Sequence, residues 1–265
     1  MTAVRDAKPV VVGIDGSKAA LRAAVWGAVE ALEHDVALKL LCVIDCARAV
    51  TERVVGAQHL VADAALRDAY QAVEALQRPI KVELETICGD PGAVLTEQSR
   101  AAALLCVGAP KAHPRGPFDS LAGHMAEFAC CTVAIVPETE AAIGQRGGRV
   151  VTVLDPSSID YDVLQLAMEE AELRRLALYV LMTTAATAAA DELLISWSQC
   201  YPHIDLHVQH AEQLPQYVEE HERSVKSVVL GAGQHSDVMR LVELIKSRAA
   251  VYNDFSVIVV RSEHL

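Results

Sequence analysis

Pro9-Val10-Val11-Val12-Gly13-Ile14-Asp15-Gly16-Ser17 decides the fold. Five apolar or small residues rich in β-branched side chains stop at Asp15, and Gly16-Ser17 follows at once. That pattern predicts a fully buried strand running into a helix start, with Ser17 as the N-cap. Leu21, Ala24, Val25, Ala28 and Leu32 then recur at helical spacing. Further on, apolar strand-like runs at Leu38 to Asp45, Ala103 to Gly108 and Thr132 to Val136 alternate with helical runs at His59 to Gln77, Pro91 to Ala101 and Phe118 to Ala129. Residues 46–56 read as a loop. Ile80 to Cys88 alternates apolar and polar, the pattern of a sheet edge with one solvated face. Five strands alternating with four helices predict a parallel sheet covered on both faces.

The pattern then restarts. Arg149-Val150-Val151-Thr152-Val153-Leu154-Asp155 echoes the opening strand, Leu176 to Thr183 the second, Ile204 to Val208 the edge strand, Val228 to Ala232 the fourth and Val257 to Val260 the last. Asp15 and Asp155 are offset by 140 residues, Gly108 and Gly231 by 123, so the second copy is 17 residues shorter, mainly between its second and third strands. The chain therefore reads as an internal duplication. The expected domains are 1–137 and 149–265, joined by a polar, glycine-containing linker at 138–148.

Composition fits this reading. Of the 265 residues, 52% are hydrophobic but only 4% aromatic, as Val-rich parallel strands under Ala-rich helices require. The net charge of -12 disfavours nucleic acid and anionic membranes as partners. The first apolar run is too short for a signal peptide, and no run approaches the roughly 18 apolar residues of a membrane span, so a cytoplasmic protein is expected. Seven cysteines without a C-x-x-C pair read as reduced, mostly buried thiols rather than a zinc site. His203 and His207 share a strand face, but four residues of strand separate them by roughly 13 Å, too far for one metal.

The run Val11 to Ser17, the strand ending Val107-Gly108, and the Gly123-containing helix before a final β-branched strand resemble the universal stress protein family. The resemblance spans both halves, so the chain looks like a tandem member. It implies two flavodoxin-related, Rossmann-like domains and, as in many members, binding of ATP or AMP, expected here in the first domain with Mg²⁺ or else no cofactor at all. Carried over, Asp15 followed by Gly16 and Ser17 meets the ribose side, the second-strand position near Val43 meets adenine, and a phosphate loop runs from Gly108 to Gly123. The general rule that α/β sheets bind ligands beyond the carboxyl ends of their strands, where strand order reverses, favours the same end of the sheet.

The chain departs from the family's phosphate-loop pattern. Lys111 stands where a second Gly is expected, Gly108 and Gly123 are two residues too far apart, and His124 replaces a Ser or Thr. Pro110, Pro114 and Pro117 lack N–H donors. Lys111, His113 and Arg115, beside Gly116, either supply charge in place of those donors or form a solvated loop. Asp15 either serves a ligand or caps the turn into the first helix. In the second half Asp155 is followed by Pro156, and no Gly-Ser pair follows Gly231, so a structural role is expected there. No nucleophile–base spacing is evident. The expected function is a non-enzymatic stress-response regulator that binds an adenine nucleotide in the first domain and acts through protein contacts. The alternative is a nucleotide-free dimerising or scaffolding module, and an adenine-nucleotide enzyme is the third reading.

Overall fold

The computed structural model describes residues 7–45, 52–109, 121–138, 148–182, 188–211, 213–246 and 254–261. The chain divides into two compact units, Met1–Glu138 and Thr139–Leu265.

In the first unit the elements run β1 (Val10–Ile14), α1 (Lys18–Glu33), β2 (Leu38–Ile44), α2 (Glu52–Glu74), β3 (Val82–Cys88), α3 (Pro91–Ser99), β4 (Leu104–Ala109), α4 (Leu121–Phe128) and β5 (Thr132–Pro137). The strands are parallel in the order β3-β2-β1-β4-β5. The chain moves outward from β1 to β3, then crosses back to β4 on the other side of β1. That reversal creates a switch point beside the carboxyl end of β1.

Both faces are covered because alternate strand residues point to opposite sides. A β-carbon placed on Gly27 of α1 would lie 3.0 Å from Val12 and 3.3 Å from Val10. Leu95 of α3 instead sits 3.2 Å from the β-carbon position of Gly13, on the other face. The α1 helix packs against α2, and α3 against α4. The buried stripe of α1 is Ala19, Ala20, Ala23, Ala24, Ala28 and Ala31 with Gly27. Side chains this small bring the helix close to the sheet, so the core needs almost no aromatic residues. At the edge, β3 leaves the consecutive residues Glu83 and Leu84 exposed; they point to opposite faces, so the strand is an edge as expected, but Leu84 is not covered as its alternation predicts.

The second unit repeats the plan. It contains β6 (Arg149–Leu154), α5 (Tyr161–Arg174), β7 (Ala177–Met182), α6 (Ala188–Cys200), β8 (Leu206–His210), α7 (Leu214–Glu220), β9 (Val225–Gly231), α8 (His235–Lys246) and β10 (Ser256–Val260). Its parallel strands lie in the order β8-β7-β6-β9-β10.

A buried glutamate is repeated along with the fold. Glu30 of α1 is buried and lies 3.9 Å from His34, while Glu170 of α5, offset by the same 140 residues, accepts from Arg174 Nε at 3.1 Å. Burial pushes the Glu170 carboxyl up, against the lowering effects of Arg174 and of a hydrogen bond from Ser227. A carboxyl raised in the folded state adds stability below its unfolded pKa and loses it as pH rises through the folded value. Glu170→Gln keeps the shape and removes the charge. Its melting temperature should therefore gain on that of the wild type as pH rises from about 4 to about 8. A constant difference across that range in calorimetric scans would contradict this.

Three further features differ from the sequence expectation. The α2 helix begins at Glu52, inside the expected 46–56 loop, because its first turn carries two charges and reaches Gly56, where a β-carbon would meet open space, so hydrophobic periodicity gives no signal there. The second edge strand starts at Leu206 rather than Ile204, because Ile204 N–H closes a turn onto Tyr201 C=O after Pro202. The cysteines are not uniformly buried thiols. Cys42, Cys106 and Cys131 are buried and free, Cys130 and Cys200 are exposed and free, and Cys88 is disulfide-bonded to a partner outside the described residues. Cys88 ends an edge strand and is itself exposed, which leaves its sulfur within reach of a partner.

Candidate functional site

The turn from β1 into α1 is built by three residues. Asp15 Oδ1 accepts the Ser17 N–H at 2.9 Å, and Ser17 Oγ accepts the Ala20 N–H at 3.1 Å. Gly16 between them has φ +78°, the left-handed region that glycine enters without a steric penalty, and faces Ala65 of α2. The capping role of Asp15 is thus real. The same bond also fixes its carboxylate at the end of β1, the rim of the switch point.

That rim opens into a cleft of about 390 Å³. Asp15 forms one side. Cys42, Val43, Ile44 and Asp45 form the end of β2, and Ala57, Gln58, Val61, Ala62 and Ala65 of α2 form the opposite wall. The volume lies at the small end of the roughly 300–1,000 Å³ range of small-molecule sites. The walls are mostly apolar, suited to a flat ring, and the charged side chains among the lining residues are the Asp15 and Asp45 carboxylates. Burial pushes the Cys42 thiol up, and the negative charges of Asp15 and Asp63 add to it. It therefore stays a neutral wall group rather than a nucleophile.

Of the residues expected at the site, Asp15 and Val43 come together in this cleft, with Gly16 and Ser17 shaping its rim. Gly108, Gly123 and His124 are not among the residues lining it. Gly108 lies under the first turn of α1, where a β-carbon would come within 2.5 Å of Ala19 C and 2.6 Å of Ala20 N. Gly123 is buried in α4. The His124 ring packs against Phe128, with centroids 4.7 Å apart, and lies 3.1 Å from the β-carbon position of Gly92 at the start of α3. Lys111, His113, Arg115 and Gly116 lie outside the described residues.

The α2 wall went unread in the sequence. Its residues 58, 61, 62 and 65 share one helix face, so the periodicity was present, but apolar spacing alone reads as core packing.

In the second unit Asp155 Oδ1 accepts both the N–H and the hydroxyl of Ser157, at 2.9 and 2.7 Å. These bonds hold its carboxyl below the usual range. Pro156 stands where Gly16 stands in the first unit and cannot take a positive φ. The turn is accordingly longer: α5 is capped by Asp160, whose Oδ1 accepts the Val163 N–H at 3.2 Å.

Two wider observations bound the chemistry. Among the described residues no group of three or more His, Cys, Asp and Glu is arranged to hold a metal ion, and His207 lies 2.9 Å from Asp205 and stacks on Tyr179. No described helix is long and apolar enough to cross a membrane.

Residues 7–137 match the universal stress protein family. Among curated relatives, Universal stress protein Rv3134c of Mycobacterium tuberculosis is 37% identical over 77% of this chain and 80% of its own length. Universal stress protein Rv2028c of the same organism is 37% identical over 88% of each chain, a span that includes both units. A universal stress protein from Archaeoglobus fulgidus has the same fold over 97% of each chain, with a TM-score of 0.67 at 13% identity.

Proposed function

The chain belongs to the universal stress protein family, and we propose that its first unit binds an adenine nucleotide, AMP or ATP with Mg²⁺, in the cleft between β1, β2 and α2. In this reading the protein is a non-enzymatic regulator of the stress response. It works in the cytoplasm and acts through protein contacts. The observation that carries it is the meeting of Asp15 and Val43 at one cleft beside the switch point. Apolar walls take the base, the Asp15 carboxylate accepts from ribose hydroxyls, and the phosphates extend past the rim. Ser17, the hydroxyl nearest the site in sequence, is occupied as a helix cap, which supports binding without chemistry.

Contact with another protein has its own support. Leu60 and Val61 on the outer part of α2 are 72% and 69% exposed. Val61 also lines the cleft. A ligand that covers Val61 changes the surface α2 offers, and so links occupancy to recognition.

Asp15→Asn separates the two roles of Asp15, since its amide oxygen still accepts the Ser17 N–H while the charge is gone. Calorimetric titration of AMP, and of ATP with Mg²⁺, should give one site per chain in the wild type. Affinity in Asp15→Asn should be about tenfold weaker, with a melting temperature close to that of the wild type. No heat with either ligand, and no ligand-induced rise in melting temperature, would end this reading.

A further inference from the structure

The two copies of the fold end in edge strands of different character. β3 bounds the first unit and β8 the second. Leu84 pairs with Leu40, and Val208 with Val180, so Leu84 and Val208 hold matching places in the two units. They are 50% and 48% exposed. Around Leu84 the strand is charged: Glu83 pairs with Lys81 at 2.7 Å, and Glu85 with Lys39. Charges on an edge keep other strands away, because pairing strips water from them. The β8 strand, Leu206-His207-Val208-Gln209-His210, contains no carboxylate, lysine or proline. Its outer backbone is open as well. Asp205 C=O accepts from Leu178 N–H at 3.0 Å, and Ala211 N–H donates to Met182 C=O at 3.2 Å. The alternation of a strand then turns the backbone groups of His207 and Gln209 toward β7 and those of Leu206, Val208 and His210 away from it. Among the described residues no strand pairs with that outer side.

We propose that the chain pairs with a second copy of itself through β8, the two strands running antiparallel with Val208 opposite the same residue of the second copy. In this register Leu206 lies opposite His210. Each of Leu206, Val208 and His210 exchanges its outward N–H and C=O with the residue facing it, as in the hydrogen-bonded pairs of an antiparallel sheet. His207 falls opposite Gln209, so no like charges meet. The equivalent self-pairing of β3, Leu84 on Leu84, sets Glu83 opposite Glu85 on both sides of the axis, and like charges directly opposite are unfavourable. The edge that fits β8 is therefore another β8, open and uncharged like itself, and not the ion-paired β3. Such a contact is isologous and closes at two copies. It uses the second unit alone and stands independently of the nucleotide reading.

The test is sedimentation velocity of the intact chain across a concentration series. The strand has five residues, so the contact is small and the passage from one copy to two is expected between about 10 and about 500 µM. Val208→Lys sets two ammonium groups face to face and should weaken association at least about tenfold, as should Val208→Glu with two carboxylates. Mixed in equal amounts, the two variants should associate again, to within about threefold of the wild type, because residue 208 then meets its opposite charge. Leu84→Lys, at the matching place on β3, should associate as the wild type does. A readout that needs no variant is amide hydrogen exchange of the wild type. The amides of Leu206, Val208 and His210 should exchange more slowly at high concentration than at low, while those of Leu84 and Thr86 on β3 stay unchanged. A wild type that remains a single copy to about 500 µM overturns the proposal. So does a Val208→Lys chain that pairs like the wild type, a mixture that stays apart, growth beyond two copies, or loss of pairing in Leu84→Lys.

Discussion

Gly108→Ala should destabilise the first unit by about 3 kcal/mol, near the upper end for added bulk in a packed site. The new β-carbon would fall 2.5 Å from Ala19 C and 2.6 Å from Ala20 N. These are backbone atoms in the first turn of α1, so no rotamer change relieves the clash. The whole helix must shift, and with it the Asp15–Ser17 turn. For a unit of this size the loss corresponds to roughly 10 °C in melting temperature. Gly231→Ala is the internal control. It occupies the matching position in the second unit, but its nearest atoms are Asp160 Oδ2 at 3.2 Å and Val163 Cγ2 at 3.4 Å, both side-chain atoms that can move. Its cost should stay below about 1 kcal/mol. Differential scanning calorimetry of both variants decides the matter. A Gly108→Ala protein that melts with the wild type but has lost nucleotide affinity would mean that this glycine serves a ligand, not helix packing.

Leu95→Ala should cost about 3 kcal/mol, within the usual range for emptying a buried leucine site. Leu95 is 1% exposed and lies over Gly13 on the α3 face of the sheet. The pair is a large side chain set on a missing one. A methyl group on Gly13 meets Leu95 Cδ1 at 3.2 Å, so Gly13→Ala alone should cost about 1 kcal/mol through crowding. Combined, the two changes compensate: the methyl on residue 13 occupies part of the space that Leu95 vacates. The double variant should therefore be more stable than the sum of the single effects by at least about 0.5 kcal/mol. Urea denaturation of the four proteins measures this, and strict additivity would show that the two residues do not share one packing site.

Much of the architecture was legible because it depends on patterns that repeat along the chain. Apolar runs of strand length between helical periodicities specify buried parallel strands, and the return of the first strand at Arg149 to Asp155 specifies a second copy. Ser17 was legible as a cap because a hydroxyl in that place, before a helical run, has one dominant local use. The apolar–polar alternation of Ile80 to Cys88 marked β3 as an edge. The start of α2 was not legible, because Glu52, Arg53 and Gly56 interrupt the apolar periodicity there. The disulfide at Cys88 was not legible either, since bonding depends on where the edge strand ends and what comes near it.

The site divides along the same line. Sequence by itself determined the duplicated α/β plan, the turn at Asp15–Ser17 and the family to which the chain belongs, because short-range spacing and backbone chemistry fix these. Only the tertiary structure decided what faces the end of β1. It brought Gln58 and Val61 from α2 to the cleft across more than forty residues, set Gly108 against the backbone of α1, and turned His124 toward Gly92 and Phe128. The physical reason is that a glycine or a helical stripe has the same local signature whether it meets a ligand or a neighbouring helix. The distance to the nearest backbone, which tells these apart, arises only when the elements pack.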